Sequence, residues 1–320
     1  MANPELAQRF LAGHIERLRK LPKKRIVFPE GDDPRIEEAA QRLIDERLVE
    51  PILIGARHIV PDARYARLLY ERRRAKGMTE LEANALSQKP LYYAALMVAA
   101  GDADGSVGGA ANTTGETVRA ALLCIGTAPK VKTVSSVMFV VVPDRSFGKD
   151  GAMAFADCAI LIDPCATELA EIAIATAHST QQILNVEPVV ALLSFSTKGS
   201  GKHAWVDKVV EAVRIIHERA PELNVDGELQ ADAALMVDVA ASKAPGSTVA
   251  GHANTLIFPD LHSGNIGYKL VERLAGGVAI GPFLQGLAKP ANDLSRGCSA
   301  DDVFGAAVIT ALQACSQKSQ

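Results

Sequence analysis

The run Arg25-Ile26-Val27-Phe28-Pro29-Glu30-Gly31-Asp32-Asp33-Pro34-Arg35-Ile36 reads as a strand, a turn and the start of a helix. Arg25 to Phe28 is a short apolar stretch of the kind that fits a buried strand. Pro29 to Asp33 are turn formers. Asp33 suits an N-cap, and Pro34 suits the first helical position, where its missing N–H costs no hydrogen bond. The helix then runs to about Glu46. A strand feeding directly into a helix is the repeating unit of an α/β fold, and the pattern recurs along the chain.

Working outward, Pro51 to Gly55 reads as a second strand, and Arg64 to Lys76, Thr79 to Ser87 and Leu91 to Ala100 as helices. Asp104 to Gly109 is a strand entering a Gly/Asn/Thr loop, Glu116 to Gly126 a helix, and Val134 to Val142 a strand. The polar stretch Asp144 to Gly151 reads as a crossing between two domains. Beyond it, strands are expected at Cys158 to Ile162, Val189 to Phe195, Leu235 to Val237 and Thr255 to Phe258. Helices are expected at Glu168 to Leu184, Ala204 to Glu218 and Ser263 to Leu274. Two such series predict two α/β domains with largely parallel sheets and an active-site cleft between them.

The length of 320 residues agrees with two domains, and a formal net charge of -3 gives no basic footprint for nucleic acid. No apolar run reaches the roughly 20 residues of a membrane helix, so no membrane partner is expected. The N-terminus shows no signal-peptide pattern. Five cysteines, an odd number without a CxxC pair, argue against a disulfide framework or zinc site and for a reducing cytoplasm. The histidines have no metal-ligand spacing, so no metal is expected. The chain lacks GxGxxG after a strand, GxxxxGK[ST], HExxH and GxSxG.

Several polar loops follow the strands. Pro29 to Arg35 reads as a turn and a helix cap, with a functional loop after the strand as the alternative. Ser194 to Ser200, with Lys198 and Gly199 past a buried strand, can hold an anion or be a plain polar loop. Thr113, Thr114 and Arg119 lie at the start of a helix, where hydroxyls, backbone N–H groups and a guanidinium suit an anion. Asn292 to Asp302 contains Ser299 and Asp302 at capping-box spacing, which leaves Ser295 and Arg296 unexplained. Arg73 lies in a basic helical cluster that by itself reads as a solvated face. Cys298 is the one cysteine beside candidate chemistry.

Taken together, the stretches FPEGDDPRI from Phe28, RAKGMT from Arg74, GDADGSVGGAANTT from Gly101, LLSFSTKGS from Leu192, DGELQADAA from Asp226, KAPGSTVAGHANTLIFPDLHSGNIGYKLVERL from Lys243 and AIGPFLQGLAKPANDLSRGCSADD from Ala279 resemble, in order and over nearly the whole chain, the phosphate acetyl/butyryltransferase family. The resemblance implies the reaction acetyl-CoA + phosphate ⇌ acetyl phosphate + CoA, by direct attack in a ternary complex, with CoA as substrate and no cofactor. It implies a homodimer, and a last segment that returns to the first domain, giving 1–143 plus 291–320 and 144–290. Carried over by motif, Ser295, Arg296 and Asp302 are the implied catalytic residues, and Arg73 and Arg119 bind substrate. Thr114 and Lys198 join them as substrate-binding candidates. Two features depart from the family: Ala120 follows Arg119 where proline is usual, and the stretch from Gly55 to Arg73 is short. Two alternatives stay open, a phosphate butyryltransferase and a non-catalytic acyl-CoA-sensing module.

Overall fold

A computed structural model describes residues 3–55 and 59–316. In chain order the elements begin with α1 (Pro4–Leu18), β1 (Arg25–Phe28), α2 (Pro34–Asp45), β2 (Glu50–Leu53), α3 (Ala63–Arg73), α4 (Glu80–Ser87), α5 (Pro90–Ala100), β3 (Gly105–Gly108) and α6 (Thr114–Cys124). They continue with β4 (Ser135–Val141), β5 (Ala152–Ala156), α7 (Ala166–Ser179), β6 (Val189–Leu193), α8 (Ala204–Arg219) and β7 (Asn224–Leu229). The last are α9 (Ala231–Leu235), α10 (Val237–Lys243), β8 (Thr255–Ile257), α11 (Leu261–Leu274), β9 (Val278–Gln285), β10 (Ala291–Asp293) and α12 (Ala300–Ser316). Among the described residues no helix is long and apolar enough to cross a membrane.

The chain forms two compact units. One runs over Leu11–Lys130 and resumes at Leu287; the other comprises the chain up to Phe10 and Val131–Gly286. The first holds a four-stranded, all-parallel sheet in the order β10-β3-β1-β2. Ile26, Val27 and Phe28 of β1 are fully buried, the continuous apolar run of a parallel strand covered on both faces. Helices α2, α5 and α12 pack on this sheet and its neighbours. Asp33 caps α2 by accepting from the Arg35 amide at 2.9 Å, with Pro34 opening the helix.

The second unit holds a mixed six-stranded sheet, order β7-β6-β8-β5-β4-β9, in which β4 runs antiparallel to β5 and β9. Strand β6 shows how its core is divided. Val190 and Leu192 pack in one buried cluster with α7 and α8, and the alternate residues Ala191 and Leu193 pack in another. That is the two-residue period of a strand buried on both faces.

Four expectations need correction. The strand expected over Val134 to Val142 is β4, but it belongs to the six-stranded sheet rather than closing the first series. The stretch Asp144 to Gly151 is therefore not a crossing but the loop joining β4 to antiparallel β5; Asp150 and Gly151 take the left-handed conformations that reverse a chain. Turn formers mark a hairpin and a linker alike, so the boundary expected at 143 lies inside a hairpin. The strand expected over Cys158 to Ile162 is a turn, and the strand is β5 just before it. The Asp157 carboxylate gathers the amides of Ala159, Ile160 and Leu161 at 2.9, 3.2 and 3.0 Å, which bends an otherwise apolar run. The strand expected near Leu235 is instead β7, hidden from a hydrophobicity reading by Asp226 and Glu228. Of the shortened segment after Gly55, residues 56–58 lie outside the described residues.

The Asp157 turn can be tested. Asp157 is 2% exposed and also accepts from the buried Ser136 hydroxyl. Asp157→Ala leaves these donors without their acceptor, and a buried unsatisfied donor costs ~1–3 kcal/mol. The urea midpoint should fall by at least ~2 kcal/mol equivalent at unchanged m; an unchanged midpoint would show that the turn is held by other contacts.

Candidate active site

Within the unit that contains the parallel sheet, the sequence motifs meet at the carboxyl ends of β1, β3 and β10. The turn after β1 supplies Glu30, whose carboxylate accepts from the backbone amides of Gly109, Ala110, Ala111 and Asn112 at 2.9, 2.8, 2.9 and 3.1 Å. The Asn112 side-chain amide adds a fifth bond at 2.6 Å. Gly109 has φ +108°, and a Cβ there would collide with the Asp293 carboxylate, so the position requires glycine.

This loop delivers the chain into α6. Thr113 caps the helix in a capping box with Glu116: each backbone amide bonds the other's side chain, at 2.9 and 3.3 Å. Hydrogen bonds from the Thr113 amide and hydroxyl hold the Glu116 carboxyl below its usual range, and the Arg296 guanidinium adds to the effect. Arg119, one turn on, is exposed and makes no ion pair or hydrogen bond among the described residues. It lines a pocket of about 750 Å³ together with Glu30, Asp32, Lys89, Tyr92, Asn112 and Glu116.

Beyond β10 lies the turn that carries the SRG motif. Ser295 and Arg296 are exposed, and the Arg296 side chain has no hydrogen-bond or ion-pair partner among the described residues. The turn closes through the Cys298 amide on the Ser295 carbonyl at 2.9 Å. Asp302 sits in the first turn of α12, where its Oδ2 accepts from the Ser299 amide and hydroxyl, both at 2.8 Å. Its Oδ1 takes none of these bonds. Adjacent Asp301 pairs with Arg42 at 2.5 Å. Cys298 is buried, and burial pushes its thiol up, so it is protonated at neutral pH.

The remaining candidates fall differently. Thr114 occupies the first position of α6, with its hydroxyl beside Asp293. The Arg73 guanidinium donates to the carbonyls of Leu122 and Leu123 at the C-terminus of α6, and Arg72 reaches the Ile125 carbonyl at 2.6 Å. These arginines thus close a helix end rather than forming a solvated face. Arg73 keeps Nη1 without a partner among the described residues. Lys198 lies in the other unit, where its ammonium binds the Asp226 carboxylate. Its loop is closed by Glu228, which accepts from Ser196 Oγ and the Gly199 amide, both at 2.8 Å. Among the described residues no group of three or more His, Cys, Asp or Glu could hold a metal ion.

Glu30, Arg35, Lys89, Tyr92 and Asp293 went unassigned from the sequence. The FPEGDDPR run was visible, but its charges were accounted for by a turn and a cap. Asp293 is 4% exposed, its Oδ1 has no hydrogen-bond partner, and burial pushes its carboxyl up to about 6 against the pull of Thr114 and Thr117. Between the unfolded value near 4 and this one, the folded state keeps a proton that the unfolded chain has released. The contribution of Asp293 to stability therefore falls as pH rises from about 4 to 6 and levels off above, by ~2–3 kcal/mol in all. Asp293→Asn should abolish that fall in urea titrations across this window; an identical pH slope in parent and variant would refute it.

The family model for phosphate acetyl/butaryl transferase matches residues 10–64 and 58–311. The phosphate acetyltransferase of Clostridium acetobutylicum is 46% identical, over 92% of this chain and 96% of its own. That of Paracoccus denitrificans is 48% identical, over 93% and 98%. The crystal structure of a phosphotransacetylase from Streptococcus pyogenes superposes with a TM-score of 0.89 at 44% identity, covering 96% of this chain and 98% of that one. With its motifs gathered at three adjacent strand ends and these matches spanning its length, the chain belongs to the phosphate acetyl/butaryl transferase family.

Proposed function

We propose that the chain is a phosphate acetyltransferase, an acyltransferase that moves an acetyl group reversibly between CoA and phosphate. The observation that carries this reading is the exposed turn of Ser295 and Arg296. It presents a hydroxyl and an unpaired guanidinium whose charge acts on Glu116, one turn from a second unpaired guanidinium, Arg119. Two free forks suit substrates that both carry phosphate. The names of the relatives support the same reaction.

In the direction of acetyl-CoA formation, the CoA sulfur attacks the acetyl carbonyl carbon. A C–S bond forms, the C–O bond to phosphate breaks, and phosphate leaves with the electron pair. The thiol, with a reference pKa of ~8.5, must lose its proton, and Asp302 takes it. The two oxygens divide the work: Oδ2 is committed to the helix cap and Oδ1 is left for the proton. Arg296 stabilises charge developing on the acyl phosphate, and the Ser295 hydroxyl orients it. Attack is direct, in a ternary complex; the protonated, buried Cys298 supports a route without an acyl-enzyme. Arg119 and Thr114, in the first turns of α6, bind a phosphate of CoA, and Arg73, at the other end of α6, offers its free Nη1 to a separate phosphate of CoA. The unpaired thiols support a reducing cytoplasm. Exposed Ile266, Leu270 and Leu274, a stripe at four-residue spacing on α11, support a homodimer.

Release of phosphate from acetyl phosphate should depend on CoA and proceed faster than from propionyl or butyryl phosphate. Turnover with none of the three leaves a non-catalytic acyl-CoA-binding protein. Asp302→Asn should fold normally yet lose ~10²–10⁴ in turnover. Ser299→Ala, which weakens the same cap, should cost ~0.5–2 kcal/mol of stability and little rate. A parental rate in Asp302→Asn would place the base elsewhere.

The arginines should separate in kinetics. Arg119→Ala should raise the KM for CoA with little change in Tm, whereas Arg73→Ala should raise it less and lower Tm, because it also uncaps α6. Equal effects on both quantities would show that the two residues share one role. Cys298→Ala should retain most activity, and an acetylated Cys298 trapped during turnover would overturn the ternary-complex route.

A further inference from the structure

One guanidinium holds the turn that carries the proposed chemistry. Arg35 sits at the start of α2, with its Nε and Nη2 on the two carboxylate oxygens of Asp33 at 3.0 and 2.7 Å. From there its Nη2 reaches the Ala110 carbonyl at 2.9 Å, and its Nη1 bonds the carbonyls of both Arg296 and Cys298, at 2.9 and 3.0 Å. The last two acceptors lie on either side of Gly297. Among the described residues, 295–298 receives no other hydrogen bond from outside itself: its remaining bonds are Gly297 to the Ser295 hydroxyl and Cys298 to the Ser295 carbonyl.

The chemistry of the fork explains why arginine stands here. Five donors in one plane meet five acceptor contacts spread over the turn after β1, the loop after β3 and the turn after β10. Asp33 offsets the charge, so the guanidinium acts on the turn as a donor set and not as a second cation competing with Arg296. Ser295 and Arg296 project from a backbone that is glycine-containing, exposed, and held in place by this contact.

We propose that Arg35 is a positioning residue for acyl transfer: it fixes the Ser295–Arg296 turn in its productive geometry without itself touching substrate. This rests on the reading of Ser295 and Arg296 given above. A displacement of about 1 Å at a reacting group costs on the order of 10² in rate. A positioning role therefore shows in kcat, whereas substrate anchoring through Arg119 shows in the KM for CoA.

The test measures CoA-dependent phosphate release from acetyl phosphate, with Tm, for the parent, Arg35→Gln, Arg35→Lys and Asp33→Asn. Arg35→Gln should lose on the order of 10² in kcat, with the KM for CoA within about threefold of the parent's. Arg35→Lys, which keeps the charge but not the fork, should fall between the two. Asp33→Asn loses the carboxylate partner but keeps the contacts to the turn; it should lower Tm while leaving kcat within about threefold. Millimolar guanidinium chloride, supplying the missing fork, should raise kcat in Arg35→Gln and not in the parent. If Arg35→Gln does not fold, Arg35→Lys decides. A folded Arg35 variant with parental kcat overturns the proposal, as does loss of kcat in Asp33→Asn equal to that in Arg35→Gln, which would mark a stability effect of the cap. A parent with no turnover on any acyl phosphate refutes the functional reading instead, and the two failures are distinguishable.

Discussion

The backbone of Ala110 is held at both its N–H and its carbonyl. Its N–H donates to Glu30 at 2.8 Å and its carbonyl accepts from Arg35 at 2.9 Å, the first from the turn after β1 and the second from the opening of α2. A carboxylate that collects successive backbone amides is a charge-assisted contact, roughly twice as strong per bond as a neutral one. Here it spans Gly109 to Asn112 and so sets the direction in which the chain enters α6. Without it, the amides of the buried Gly109 and Ala110 would lose their acceptor, at the cost of unsatisfied buried donors.

That contact also decides which charges stay available. Glu30 is engaged by amides, Arg35 by Asp33 and carbonyls, Asp301 by Arg42, and Glu116 by the Thr113 cap. The groups left without a hydrogen-bond or ion-pair partner among the described residues include Arg119 and the Arg296 side chain. A site that receives phosphate anions is served by cations not already paired with internal carboxylates, because each internal pair would have to be broken on binding. Glu30 and Glu116, which line the pocket with Arg119, are held by backbone amides and form no ion pair with either arginine among the described residues.

Much of this was legible from residues alone. The β1–α2 unit was readable because Asp33 and Pro34 leave few local alternatives, and the catalytic candidates because their motifs carry the family resemblance. The strands β9 and β10 were not legible. Strand β10 is three residues, Ala291–Asp293, of which two are polar; it is buried because it adds an edge to β3, a partner far away in sequence. β7 hid for a related reason, since Asp226 and Glu228 look like loop residues until Lys198, Ser196 and Gly199 are seen to satisfy them. Local propensity cannot reveal a strand whose stability comes from its neighbour. The 144–151 reversal failed differently: the turn chemistry was right, and only the identity of the strand on its far side separated a hairpin from a linker.

Site residues fell outside the reading because three strand ends share one edge of a parallel sheet. β1 pairs with β3 through Ile26 and Gly105, and β3 pairs with β10 through Gly108 and Asp293. All three run the same way, so the turns that follow them emerge together, as ligand sites in such sheets do. Each turn taken alone has a sufficient local explanation: a cap at Asp33, a capping box at Thr113, another at Ser299. The polar groups left over from those explanations are the ones that reach across. Glu30 and Arg35 extend to the loop after β3, Arg35 extends to the turn after β10, and Asp293 is buried against the first turn of α6. A polar residue beyond what its own cap requires is therefore the signal that a sequence reading can use, provided the strands are known to be parallel neighbours.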